Sequence, residues 1–229
     1  MNDFHEVNLF DGGLRASRQS PVDSPAWVVS LPAAQGAKQL LVVAGLSMAS
    51  TAASVSLHER SGDGKWRRVL SSPGYVGERG LCPDGERVEG NRKTPIGVYR
   101  FTRAFGIAPD PGCALPYTQV DGDWYWSGDP NCHYNEMVRR SEHPELDVAA
   151  SEHLIDYDYP YQYCLNIGFN EACVPGRGAA IFLHCFGQEC PYTGGCVSVP
   201  ENIMKRILQC VREDCVVVID TVQGLNAAL

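Results

Sequence analysis

A mainly β domain with one C-terminal helix is predicted by three observations. Short β-branched or alternating segments succeed one another from Gln39 onward, 23 Gly and 15 Pro cut the chain into many turns, and only one stretch shows helical spacing. At 229 residues the chain can bury a substantial core, and no long linker divides it.

The elements follow in order. Residues 1–36 mix polar residues, Pro and Gly without periodicity and read as a partly irregular N-terminal extension, within which "PAWVVSLP" has the content of one short strand. Residues 37–229 read as one folded domain. "QLLVVAGL", "ASVSLHER", "KWRRVLSS" and "TPIGVYRFTRAF" are strands, and "SGDGK" at 61–65 is a hairpin turn because Asp-Gly tolerates the positive φ of tight turns. Residues 110–161 are rich in Pro, Tyr, Trp, Asp and His and are expected to be loop with short strands or one helical turn; loops this long are often functional. "YQYCLNIGF" and "GAAIFLHCF" are two buried strands. "PENIMKRILQCVRED" is the helix, with Ile203, Ile207, Leu208 and Val211 on one side and a capping box expected between Ser198 and Glu201. "CVVVID" is a last buried strand.

Composition narrows function. A formal charge of -8 with no Lys/Arg cluster excludes a nucleic-acid backbone as partner, which requires a basic face. No apolar run approaches the roughly 20 residues of a membrane span, and the first 30 residues lack the charged start and apolar core of a signal peptide. Ten cysteines are many for a reducing compartment, and in an oxidising one several would pair.

The chemistry concentrates in "HCFGQECPYTGGCVSVPE", residues 184–201. Zinc would need His184, Cys185, Cys190 and Cys196 together, yet their spacings of one, five and six residues are unlike paired zinc ligands, and adjacent His184 and Cys185 on a strand face opposite ways, so no metal is expected there. Disulfides closing Cys185 to Cys190 and Cys210 to Cys215 are a second reading and leave Cys196 unused. In the third, Cys196 follows "TGG" just before the helix, where the dipole would favour a thiolate, and His184 folds back beside it as base. From spacing alone, a buried cysteine near a structural histidine remains the simpler reading.

"IFLHCFGQECPYTGGCVSVPE" resembles the active-site signature of the L,D-transpeptidase catalytic domain, also called YkuD-type, and "EGNRKTPIGVYRFTRAFG" resembles its Glu-Gly-Asp-x-x-Thr-Pro-x-Gly strand. "YTQVDGDWYWSGDP", Tyr134 with Asn135, and "SEHLIDYDYPYQYCLNIGFN" are similar to one subgroup, so the resemblance spans residues 38–221. It implies a β-sandwich or open barrel with one C-terminal helix after the nucleophile, and makes 37–229 an L,D-transpeptidase-like catalytic domain. Two departures stand out: the Arg that many members carry two residues after the nucleophile is Ser198 here, and Asn91 replaces the usual Asp.

The resemblance implies Cys196 as nucleophile, His184 as general base, and the backbone N–H groups of Gly195 and Cys196 as oxyanion hole. Substrate-binding candidates are Thr193, Gly194, Ser198, Arg177, Tyr134 and His153; against them stand an exposed turn Arg and a solvated His, as also for His133. Tyr117, Trp124, Trp126 and Tyr134 are cleft or core aromatics, Thr94 and Pro95 a strand start, and Glu89 half of an internal ion pair. The implied function is a cysteine acyltransferase that forms 3-3 cross-links between peptidoglycan stem peptides with release of D-Ala, needs no cofactor, works in the cell wall or periplasm, and is acylated by carbapenems. The alternatives are an L,D-carboxypeptidase cutting the same bond and a non-catalytic peptidoglycan-binding module.

Overall fold

The computed structural model describes residues 22–227. Its elements are β1 (Val22–Asp23), α1 (Ala26–Val29), β2 (Gln39–Gly45), β3 (Ala52–Arg60), β4 (Trp66–Tyr75), β5 (Leu81–Pro83), β6 (Thr94–Gly106), β7 (Tyr117–Gln119), β8 (Trp124–Trp126), β9 (Met137–Arg139), β10 (Glu152–His153), β11 (Cys164–Ile167), β12 (Phe182–Cys185), β13 (Val197–Val199), α2 (Glu201–Cys210) and β14 (Val216–Thr221). The mainly β expectation holds. The main sheet runs β4-β13-β12-β11-β6-β14-β2-β3, and β3 pairs back onto β4, so the sheet closes on itself as a barrel. Closure removes the exposed edges that a sheet of this length would otherwise present.

Two neighbouring pairs in this ring are parallel, β2 with β14 and β12 with β13. The β12–β13 crossover is the cysteine-rich stretch itself, which must carry the chain back to the start of β12 before β13 can pair.

β2 shows why its apolar run is unbroken. Leu41 and Val43 face the barrel interior with Leu57, Leu165, Leu183, Val217 and Ile219, while Leu40, Val42 and Ala44 face outward beneath Val28, Leu31 and Ala34. A strand covered on both faces has no polar side. "PAWVVSLP" supplies that outer cover as the single helical turn α1 and a following 3-10 turn, Pro32–Gln35, instead of the expected strand. Val28 and Leu31, three residues apart, then lie on one side and dock on β2 and β14.

The hairpin between β3 and β4 turns at Gly64, whose φ is 80°, as the Asp-Gly step predicts. α2 lays Met204, Ile207 and Leu208 into the main core. The expected capping box is absent: Ser198 lies in β13, Pro200 occupies the cap position, and no side chain caps the helix. Ser198 is claimed by the sheet, where it pairs with His184 across β12 and with Tyr75 across β4. Between β7 and β11 the chain forms a three-stranded sheet, β10-β8-β9, beside the barrel.

All ten cysteines are free thiols. Cys185 is buried among core residues whereas Cys190 lies partly exposed in the crossover, and Cys210 stands at the end of α2 while Cys215 is fully buried. Neither expected disulfide forms.

Candidate functional site

Parallel pairing sets the site. Leu183 is opposite Val197 and His184 opposite Ser198, so Cys196, one residue before β13, is level with Phe182. The Phe182 N–H donates to Cys196 Sγ at 3.2 Å, and the thiol donates to Ala180 O at 3.1 Å. Side chains at Phe182 and His184 share one strand face, and Cys196 and His184 both line a cavity of about 580 Å³. Cys185, on the opposite face, enters the barrel core.

His184 is buried and its Nδ1–H donates to Cys185 O at 2.6 Å, which leaves Nε2 as the basic nitrogen. Burial depresses its pKa to about 4, with the Cys185 carbonyl opposing the shift, so the imidazole is neutral at pH 7. Tyr161 packs edge-on against the ring at 5.5 Å.

Burial also pushes the Cys196 thiol up to about 12, helped by the Glu152 charge and opposed by the Phe182 N–H and Arg87. The helix-dipole expectation is therefore corrected. β13 separates Cys196 from α2, and desolvation dominates whatever the helix start contributes. The resting pair is a neutral thiol and a neutral imidazole.

The backbone around the nucleophile is held by two buried threonines. Thr94, the first residue of β6, donates from Oγ1 toward Gly195 O at 2.7 Å and Cys196 O at 3.0 Å and accepts the Gly77 N–H at 2.9 Å. Thr193 Oγ1 donates to Cys196 O at 2.6 Å and accepts the Gly195 N–H at 3.1 Å. Gly195 has φ 145°, and a Cβ there would stand 3.1 Å from Lys93 O and 3.2 Å from the Arg87 guanidinium. Only glycine suits that position.

The other sequence-derived candidates separate into two groups. Thr193 and Gly194 line the cavity. Ser198, Arg177, Tyr134 and His153 do not. Ser198 is fully buried and donates to Pro191 O. Arg177 pairs with Asp84 at 2.7 Å and lies over the Phe169 ring. His153 stacks on Tyr125 at 4.5 Å and bonds Gly122 O. Tyr134 stands behind the wall, donating to Glu89 Oε2 at 3.0 Å and accepting the Gly178 N–H at 3.1 Å. Glu89 lines the cavity and, among the described residues, forms no ion pair, contrary to expectation. Trp126 lines the cavity and packs on Phe105 and Phe182, Trp124 lies beneath Arg139, and Tyr117 bonds Ala108 O. Asn91 holds its own turn by accepting the Lys93 N–H at 3.1 Å.

Arg87 and Glu152 are among the cavity residues that the sequence reading missed. Arg87 is only 5% exposed, has no ion-pair partner among the described residues, and leaves Nε without a hydrogen bond, while Nη1 donates to Val88 O. Gly178 and Gly195 make room for its guanidinium, since a Cβ on either would come within 3.0 to 3.2 Å of it. Burial pulls its pKa down, with the nearby Cys82 and Cys196 sulfurs opposing. Nothing in "PDGERVEG" marks it, because its neighbours Gly178 and Gly195 come from the loop before β12 and from the crossover. Glu152 sits beside the His153 that the sequence singles out. Adjacent strand residues face opposite ways, and here the glutamate faces the cavity and accepts the Tyr161 hydroxyl at 2.7 Å.

No family model matches this chain, and no curated protein matches its sequence. Among solved structures, two of the helical cell shape determining protein Pgp2 from Campylobacter jejuni align with it, one of them a lysine-to-alanine mutant. Both are 15% identical with TM-score 0.42, and they cover 80% and 81% of this chain. The chain spans about half the length of those structures, 47% in each case.

Proposed function

We propose that the chain is a cysteine acyltransferase of the L,D-transpeptidase type, acting on peptidoglycan stem peptides. The observation that carries this reading is the placement of Cys196 and a neutral, Nδ1-anchored His184 on one wall of a cavity large enough for a peptide segment. The resemblance of the residues around them supplies the substrate class. The work would then be done in the cell wall, outside the membrane, where the stems are.

As the sulfur attacks the carbonyl carbon between the third and fourth stem residues, His184 Nε2 takes the thiol proton. The concerted transfer suits a pair that rests uncharged. The Cys196 N–H is the donor assigned to the oxyanion, because the Gly195 N–H is already held by Thr193. Collapse breaks the C–N bond, His184 returns the proton to the departing D-Ala amine, and a thioester remains. The side-chain amine of a second stem then attacks, gives its proton to His184 and receives the acyl group, and the thiol is restored as a 3-3 cross-link forms. Arg87, a buried cation near the thiol with no anionic partner among the described residues, suits a substrate carboxylate, and would supply from the β5–β6 connection the guanidinium that many L,D-transpeptidases carry two residues after the nucleophile.

The test is the intact mass of the protein after brief exposure to a tetrapeptide stem, with Cys196→Ala in parallel. A tripeptidyl adduct on the native chain alone supports the thioester route. Adding an acceptor stem then distinguishes a cross-linked dimer from free tripeptide, the product of an L,D-carboxypeptidase. If neither adduct nor D-Ala appears while Cys196 is a free thiol, the acyltransferase reading falls and a peptidoglycan-binding module replaces it.

A further inference from the structure

The structure assigns a second site to the long segment between β8 and β10: we infer that Cys132, His143 and Glu145 bind one divalent cation of the zinc class. This inference is independent of the acyltransferase reading, because none of these residues lines the cavity. It also differs from the His184/Cys185/Cys190/Cys196 set of the crossover, of which Cys185 faces the barrel core while the other three line the cavity.

Residues 127–151 contain one short strand, β9, and a core of their own built from Cys132, Val138 and Leu146 with Tyr125 packed against it. So few apolar side chains do little to hold a segment of this length, a situation in which small protein units use a metal as a staple. Two polar ties shape the loop. Asp129 accepts the Asn131 N–H at 2.8 Å with one carboxylate oxygen and the Asp147 N–H at 2.9 Å with the other. Arg140 Nη1 donates to His143 O at 2.7 Å.

The ties bring three donors together from two ends of the loop. One donor atom each from Cys132, His143 and Glu145 lies within 4.8 Å of both others. Cys132 Sγ is 3.6 Å from Glu145 Oε1, and His143 Nδ1 is 3.3 Å from the same oxygen. In a tetrahedral zinc complex, with Zn–S of about 2.3 Å and Zn–N and Zn–O of about 2.0 Å, the S–O edge is about 3.5 Å and the N–O edge about 3.3 Å. Both measured separations match those edges before any ion is present.

The donor chemistry narrows the ion. A thiolate with an imidazole excludes magnesium and calcium, which take oxygen ligands, and favours zinc and its borderline neighbours. A thiolate and a carboxylate together neutralise a divalent charge, and the thiol proton leaves to solvent on binding. The thiol is buried while the Glu145 side chain is 62% exposed, so an ion enters from the surface and settles against sulfur. The fourth position stays open to water. The His133 ring lies 4.3 Å from that of His143, and its Nδ1 is held 2.7 Å from Glu136. The site would pin a loop whose Gly128 and Ala150 form part of the cavity wall.

The experiment is titration of the reduced full-length chain with cobalt(II) alone, followed by zinc competition and metal analysis after gel filtration. The expected result is one equivalent bound, a thiolate-to-cobalt charge-transfer band displaced by zinc, and loss of the band in Cys132→Ser and His143→Ala. Glu145→Gln, at an exposed position that leaves folding intact, should weaken cobalt binding about tenfold or more. Absence of the band in the native chain overturns the inference, and so does a band that persists in Cys132→Ser. The tripeptidyl adduct on Cys196 is a separate measurement, so either proposal can fail without the other.

Discussion

Replacing Glu152 with Gln should make the protein more resistant to alkaline pH. Glu152 lies in β10, faces the cavity, and accepts the Tyr161 hydroxyl, a bond that the amide oxygen of the replacement side chain would preserve. Burial raises its carboxyl from an ordinary value of 4.5 to about 7, the Tyr161 hydrogen bond opposing only in part. The folded state therefore keeps a proton that the unfolded chain has already lost between pH 4.5 and 7. Stability contributed by the neutral acid is fully present below pH 4.5 and is lost as pH rises through 7. Moving the titration that far corresponds to ~3 kcal/mol at full ionisation. The variant cannot ionise, so its stability relative to the native chain should rise by about 3 kcal/mol between pH 4.5 and pH 8. Urea unfolding of both proteins at the two pH values reads this directly from the shift in midpoint at constant slope. A difference between the proteins that stays within about 1 kcal/mol of constant across the range would refute the placement of a desolvated carboxyl in the cavity. A second readout is the pH profile of Cys196 alkylation, which should move to lower pH in Glu152→Gln because the carboxylate charge helps hold the thiol up.

Thr94→Val should lower stability by about 1–3 kcal/mol, since it strips the hydroxyl that joins Gly77 to the backbone of Gly195 and Cys196 inside the protein; denaturant unfolding checks this, and an unchanged midpoint would contradict the bridging role. Arg87→Met should slow alkylation of Cys196 by both iodoacetamide and iodoacetate, because the guanidinium holds the thiol down, and should slow iodoacetate about tenfold more than neutral iodoacetamide, the loss of one charge-assisted contact worth roughly 1.4 kcal/mol. An iodoacetate-to-iodoacetamide ratio equal to the native one would remove Arg87 as an anion-binding group.

Local pattern carries most of the strands. Alternation or apolar runs in "QLLVVAGL", "ASVSLHER" and "CVVVID" announce β2, β3 and β14, and the Asp63-Gly64 step announces the hairpin, because these signals depend on neighbouring residues alone. Where local pattern misleads, a distant partner overrides the local preference. Residues 26–29 form a helical turn because the outer face of β2 and β14 needs covering, and Ser198 abandons the capping box because β13 is wedged between β12 and β4. "SEHL" draws attention to His153 while its neighbour Glu152 faces the cavity, a choice between two strand faces that a two-residue strand does not advertise.

The sequence by itself determined the β-rich class and the single long helix, because each is written in residues close along the chain, and it singled out a strand-end histidine and a thiol after "TGG" as candidates. Tertiary structure alone decided the rest. Closure of β3 onto β4 made the barrel, the parallel register of β12 and β13 set Cys196 level with Phe182 and beside the face that carries His184, and folding of the 84–94 turn against the crossover brought the buried Arg87 to the same cavity. Burial then left the thiol and imidazole uncharged, against the thiolate expected from a helix start, since desolvation depends on everything packed around a group and on nothing in its own spacing.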